Sequence, residues 1–245
     1  MTANSVLVTG SNGGLGSALV ENLLSQGVHN IACHYRSERN KVSSILERHG
    51  LSPAHHCFRA ELTDEEEVLA MRSQIEERIG AVTTLINVAG GSTLGLSWKL
   101  SKQDFLDVVH MNLTSTFLTC RAFIPSMRSH GFGRIINVSS VIADTGGVGA
   151  SHYAAAKAGI NGLSRSLAVE LIDKGITVNV MSLGYFDAGI IDTIPPALRG
   201  KVISTIPVGR LGDSSSEIGA LVLYLMSRES GYMTGQILRL NGGLY

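Results

Sequence analysis

Cysteine is scarce in this 245-residue sequence, and what there is does not pair up. Cys33, Cys57 and Cys120 are odd in number and far apart, which excludes a disulfide framework and points to a reducing compartment. Excess charge of one sign is also absent, with 20 basic residues against 20 acidic ones. Without a basic stripe or a polybasic cluster, neither nucleic acid nor a membrane surface is an expected partner. No run of about 18 apolar residues is present to span a bilayer. The opening MTANSVLVTG lacks a charged segment followed by a long apolar one, so no signal peptide is expected. Together these absences predict a soluble, cytoplasmic protein. Repeats, low-complexity tracts and linkers are missing too, which predicts one domain over residues 1–245. No Gly-x-Ser-x-Gly turn occurs, which argues against serine hydrolase chemistry.

What is present is an alternation. Short apolar runs read as buried strands at SVLVTG (5–10), NIACHYR (30–36), HHCFRAEL (55–62), TTLINVAG (83–90), GRIINVSS (133–140), ITVNVMSLG (176–184) and QILRL (236–240). Between them, helical spacing fills 15–27, 39–50, 63–80, 101–131, 153–175 and 215–227. Strand and helix alternating from end to end specify right-handed crossovers. The predicted fold is α/β: a doubly wound parallel sheet of about seven strands with helices on both faces. The irregular stretch at about 185–210 reads as a substrate lid, restricted by Pro195, Pro196 and Pro207 and loosened by Gly189 and Gly200.

The first strand runs into TGSNGGLG, residues 9–16. Gly10, Gly14 and Gly16 stand where the strand turns into a helix, whose N-terminus offers unpaired N–H groups and partial positive charge. A glycine-rich turn alone also fits an ordinary tight turn. At the first strand–helix junction of an alternating chain, it favours a pyrophosphate site. The second strand ends in HYRS, where an acid would bind the ribose 2′-hydroxyl of NAD. Tyr35, Arg36 and Ser37 stand there instead. Either Arg36 is a solvated surface arginine, or it recognises the 2′-phosphate of NADP; the second reading is preferred.

Tyr153 and Lys157 are four residues apart, one helical turn on one face. An ammonium near a phenol lowers its pKa and fits it for proton exchange with a carbonyl. Ser140, at the end of the preceding strand, would hydrogen-bond the same oxygen. The pair alone fits an exposed helix face. All three downstream of a phosphate cradle point to reaction machinery.

These motifs, with NVAG (87–90) and TGQILRLNGG (234–243), resemble those of the short-chain dehydrogenase/reductases from about residue 5 to 244. YAAAKAGINGLSRSLAVEL and IPVGRLG are similar to segments of the 3-oxoacyl-[acyl-carrier-protein] reductases. The resemblance implies a Rossmann fold and an NADPH-dependent reduction of a 3-oxoacyl thioester. Tyr153 would be the proton donor, Ser140 the carbonyl anchor, and Lys157 the ribose ligand. Asn112, also readable as an ordinary helix polar residue, would hold a relay water. Gly10, Ser11, Asn12, Gly13, Gly14, Leu15, Gly16, Tyr35, Arg36, Ser37, Glu61, Leu62, Asn87, Ala89, Gly90, Gly184 and Phe186 would border the cofactor. An acyl-carrier protein partner and a homotetramer are implied as well.

Several positions depart from the family pattern. Val88 replaces an asparagine, which predicts weaker support of the sheet. Glu61 replaces an aspartate, Leu183 a proline, and Ala188 a threonine; Gly13 stands where an arginine is common. These departures leave open another ketone or alcohol as substrate, or a cofactor-binding partner subunit with little turnover. Lys174 and Arg128 fit either an acidic carrier or solvated helix ends. His55, His56 and Cys57 alternate if they lie on a strand, so no metal site is expected.

Overall fold

The computed structural model describes residues 5–245; expectations for the first four residues fall outside them. The chain runs β1 (Val6–Thr9), α1 (Gly14–Ser25), β2 (Ile31–Tyr35), α2 (Asn40–Arg48), α3 (Pro53–His56), β3 (Cys57–Arg59), α4 (Glu65–Arg78), β4 (Thr84–Asn87), α5 (Lys102–Val109), α6 (Ser115–His130) and β5 (Gly133–Ser140). It continues with α7 (Ile142–Thr145), α8 (Ser151–Leu171), β6 (Ile176–Leu183), α9 (Pro196–Ile203), α10 (Ser216–Met226) and β7 (Ile237–Leu240). The strands form one sheet in the order β3-β2-β1-β4-β5-β6-β7. Every pairing is parallel, from Val6 opposite Ile31 and Thr84 in the centre to Ser140 opposite Leu183.

Alternation along the strands divides the core. Val6, Val8, Ile86, Ile136 and Met181 face one side and pack with Leu23, Val222 and Leu225 of α1 and α10. Leu7, Leu85, Ile135 and Val178 face the other, against Met71, Ile75 and Phe123 of α4 and α6. With both faces covered, the strands can be apolar throughout. The chain leaves β1 toward β2 and β3, then returns to the other side at β4. That reversal opens a crevice at the C-terminal strand ends, where doubly wound sheets bind ligands.

Two predicted elements differ. The stretch 101–131 is not one helix: α5 and α6 are joined by a π-helical turn, His110–Thr114. Hydroxyls of Ser115 and Thr116 bond back to the carbonyl of Asn112 at 3.2 and 2.8 Å, adding side-chain donors where the turn widens. The third strand begins only at Cys57, because Pro53 starts a helical turn that takes His55 and His56. The period-two argument against a metal at these histidines therefore does not apply. His56 is instead committed to the sheet, its Nδ1 lying 2.7 Å from the carbonyl oxygen of Ile31. Cys33, Cys57 and Cys120 are buried free thiols. Among the described residues, no helix is long and apolar enough to cross a membrane.

Candidate active site

A cleft of about 880 Å³ lies along the strand ends, from the glycine turn to Tyr153 and Lys157. Its floor is shaped by what glycine permits. Gly10 has φ +66°, and a Cβ there would lie 2.8 Å from the Cα of Ala89. A Cβ on Gly14 would lie 2.6 Å from the backbone nitrogen of Gly189, and one on Gly16 would overlap the Gly10 carbonyl. The turn thus packs backbone on backbone where α1 begins.

Gly10, Asn12, Gly13, Gly14, Leu15 and Gly16 line this cleft, but Ser11 does not. Its amide and hydroxyl both donate to the carbonyl of His34, at 2.9 and 2.8 Å, which turns it into the sheet. Asn12 also accepts from the amide of Val42 at the start of α2, at 3.1 Å. Tyr35, Arg36, Ser37, Glu61 and Leu62 form the far end, Ala89 packs against Gly10, and Gly90 lies toward Lys157. Arg39 lies over the Tyr35 ring at 5.9 Å, and the Glu61 carboxylate accepts from the amide and hydroxyl of Thr63 at 3.2 and 3.0 Å.

Ser140, Tyr153 and Lys157 converge at the other end, with Leu183, Gly184, Phe186 and Ala188 as its wall. Gly184 is required there, since a Cβ would lie 2.8 Å from the Cα of Asn241. Lys157 is buried; its Nζ donates to the carbonyl of Val138 at 2.9 Å and lies 5.6 Å from the Tyr153 ring centre. Burial brings the ammonium down to about 8. The expectation that Lys157 lowers the phenol is not met. Burial pushes the Tyr153 phenol up, and the opposing influence is a hydrogen bond with Ser140.

Asn112 and Asn87 stand behind the cleft rather than in its wall. Asn112, fully buried on the π-helical turn, donates Nδ2–H to the Gly91 carbonyl at 2.7 Å and accepts the Gly91 amide on Oδ1 at 3.3 Å. A Cβ on Gly90 would lie 2.5 Å from that Oδ1. Asn87 donates to Asn137 Oδ1 at 2.9 Å and accepts from the Thr119 hydroxyl at 2.8 Å, while Asn137 donates to Ser164 at 2.9 Å. That buried chain ties β4, β5, α6 and α8 together.

Sequence reasoning missed Thr9 and His34. The Thr9 hydroxyl accepts the amides of both Val88 and Ala89 at 3.1 Å, so the turn after β4 has support even though Val88 is no amide. His34 is buried, accepts the Gly10 amide on Nδ1 at 3.0 Å, and places Nε2 3.0 Å from the Ala60 carbonyl. The available signal was a polar residue inside an apolar strand run.

The family model for short chain dehydrogenase matches residues 4–198, and the chain belongs to that family of oxidoreductases. It is 36% identical over 245 residues to the 3-oxoacyl-[acyl-carrier-protein] reductase of Haemophilus influenzae, covering all of this chain and 99% of that protein. It is 34% identical over 244 residues to nodulation protein G of a Rhizobium species, covering 100% of this chain and 98% of that one. The corresponding reductase of Staphylococcus aureus is 32% identical over 242 residues, 98% of each chain.

Proposed function

We propose that this protein reduces a 3-oxoacyl thioester, carried on acyl-carrier protein, to the 3-hydroxyacyl form with NADPH. The observation that carries the reading is one cleft with a glycine cradle at one end and Ser140, Tyr153 and Lys157 at the other. The absence of Cβ atoms on Gly10, Gly14 and Gly16 fits a pyrophosphate against the start of α1. Tyr35, Arg36 and Ser37 would take the 2′-phosphate end, Glu61 and Leu62 the adenine, and Tyr153 and Lys157 the nicotinamide ribose. The bound cofactor supplies the hydride that reaches the carbonyl carbon.

The chain's own groups handle the oxygen. The Ser140 hydroxyl donates to it and holds the carbonyl in place. Tyr153 transfers its phenolic proton as the C–O double bond becomes an alcohol. A phenol pushed upward by burial holds that proton firmly until charge develops on the oxygen. Lys157, protonated below about 8, then returns a proton to the phenolate. Asn112 keeps Gly90 and Gly91 in place beside the reaction end.

The segment 185–210 is read as the lid over the acyl chain. A homotetramer is supported by exposed apolar residues on α6 and around the end of α8, Phe117, Val169 and Ile172. Light scattering that returns a monomer would refute it. A kinetic comparison of NADPH and NADH against acetoacetyl thioester, free and carrier-linked, tests the function. Faster turnover of the carrier-linked form with NADPH is expected. No reduction of either thioester would overturn the reading.

A further inference from the structure

The segment 91–97, which starts in the wall of the cleft, is fastened at both ends. Gly91 is held by Asn112 on both its amide and its carbonyl. Three further contacts join the segment to residues 149–152. The Gly95 amide donates to the Gly149 carbonyl at 2.9 Å, and the Ser97 hydroxyl to that of Ser151 at 3.1 Å. Thr93 Oγ1 lies 3.4 Å from His152 Nε2.

His152 differs from the other members of this seam. It is fully buried, and its Nδ1 finds no hydrogen-bond partner among the described residues. An imidazole in such a place is a poor choice for packing alone. Ala150, which precedes helix α8, offers no side-chain cap, so the first turn takes lateral support from the seam. Tyr153 is the next residue on that turn, while Gly91 and Ser92 line the cleft opposite.

We propose that His152 is a positioning residue, fixing the substrate-side wall at Gly91–Ser92 relative to the Tyr153 hydroxyl. The proposal rests on the reductase reading of the same site. A misplacement of about 1 Å at a reacting centre costs on the order of a hundredfold in rate, so a ring-sized spacer can matter without touching substrate.

The test uses the full chain with His152→Leu, His152→Gln and Thr93→Val. His152→Leu should raise KM for acetoacetyl thioester about tenfold and lower kcat, with cofactor affinity unchanged, while His152→Gln restores most of the loss. Amide hydrogen exchange should quicken at 93–97 and stay unchanged at 84–89. Wild-type kinetics and exchange in His152→Leu would overturn the proposal, as would cofactor affinity falling in step with KM. If His152→Leu does not fold, Thr93→Val decides: faster exchange at 93–97 supports the proposal and no change refutes it. If the wild-type protein reduces no thioester, the reductase reading fails by itself. Exchange then judges the seam, and protection of 93–97 that is indifferent to His152 sinks it.

Discussion

The backbone amide of Gly10 donates to Nδ1 of His34 at 3.0 Å, so the glycine turn hangs from the neighbouring strand by a neutral imidazole. Nδ1 must stay unprotonated to accept, which leaves Nε2–H to donate to Ala60. Burial holds this imidazole down to about 4, against an ordinary 6.5. Between those values the unfolded chain binds the proton and the folded chain does not. Stability is therefore fully present above about 6.5 and is lost as pH falls toward about 4, by on the order of 3 kcal/mol. His34→Asn should flatten this acid limb in denaturant titrations at stepped pH. An unchanged limb would rule out His34 as its cause.

Lys157 carries a pH signature of the same sign in an alkaline window. Its ammonium is folded at about 8 against 10.5 when free, so charge burial penalises the fold below about 8 and the penalty is relieved as pH rises to about 10.5. Lys157→Met should therefore be more stable than the wild type near neutral pH, by on the order of 3 kcal/mol, while losing turnover. That gap should narrow over the alkaline window. A gap of constant size in paired unfolding curves would show that Lys157 is not held at a depressed pKa.

The two middle glycines of the turn should respond differently. A Cβ on Gly14 collides with the backbone of Gly189 at 2.6 Å, whereas Gly13 has φ −73° and a Cβ there would lie 3.3 Å from the Gly10 carbonyl oxygen, a contact relieved by a shift of a few tenths of an ångström. Gly14→Ala should cost about 1–3 kcal/mol and weaken cofactor binding; Gly13→Ala should leave both nearly unchanged. Thermal melts with and without cofactor compare them.

Arg36 stands exposed at the rim of the cleft, one residue beyond β2. If it pairs with a 2′-phosphate, Arg36→Asp should shift the ratio of kcat/KM for NADPH over NADH by about tenfold to a hundredfold toward NADH. A ratio that does not move would assign the preference elsewhere.

Tyr153→Phe keeps the ring and removes the proton. Turnover should fall by at least about a hundredfold with cofactor affinity retained. An active Phe variant, measured with the same thioester, would remove Tyr153 from the reaction.

The alternation of strand and helix was legible because both periods are local: each residue's face follows from its neighbours. The same holds for the turn at 9–16, where Gly10, Gly14 and Gly16 mark a junction at which backbone packs on backbone, and for Tyr153 and Lys157, one helical turn apart. The break at His110–Thr114 was not legible, because it carries Asn112, whose side chain is tied to Gly91, 21 positions away. Thr9, His34 and His152 were hidden because their partners are distant in sequence. Their partners, Val88 and Ala89, Gly10, and Thr93, lie 24 to 80 positions away. The sequence by itself determined the doubly wound sheet, the glycine turn and the helical tyrosine–lysine pair. Only the tertiary structure decided that Ser11 and Asn87 support the cleft rather than line it, and that burial raises Tyr153 while lowering Lys157. Burial and hydrogen-bond partnership are properties of residues brought together across the fold, and no local spacing contains them.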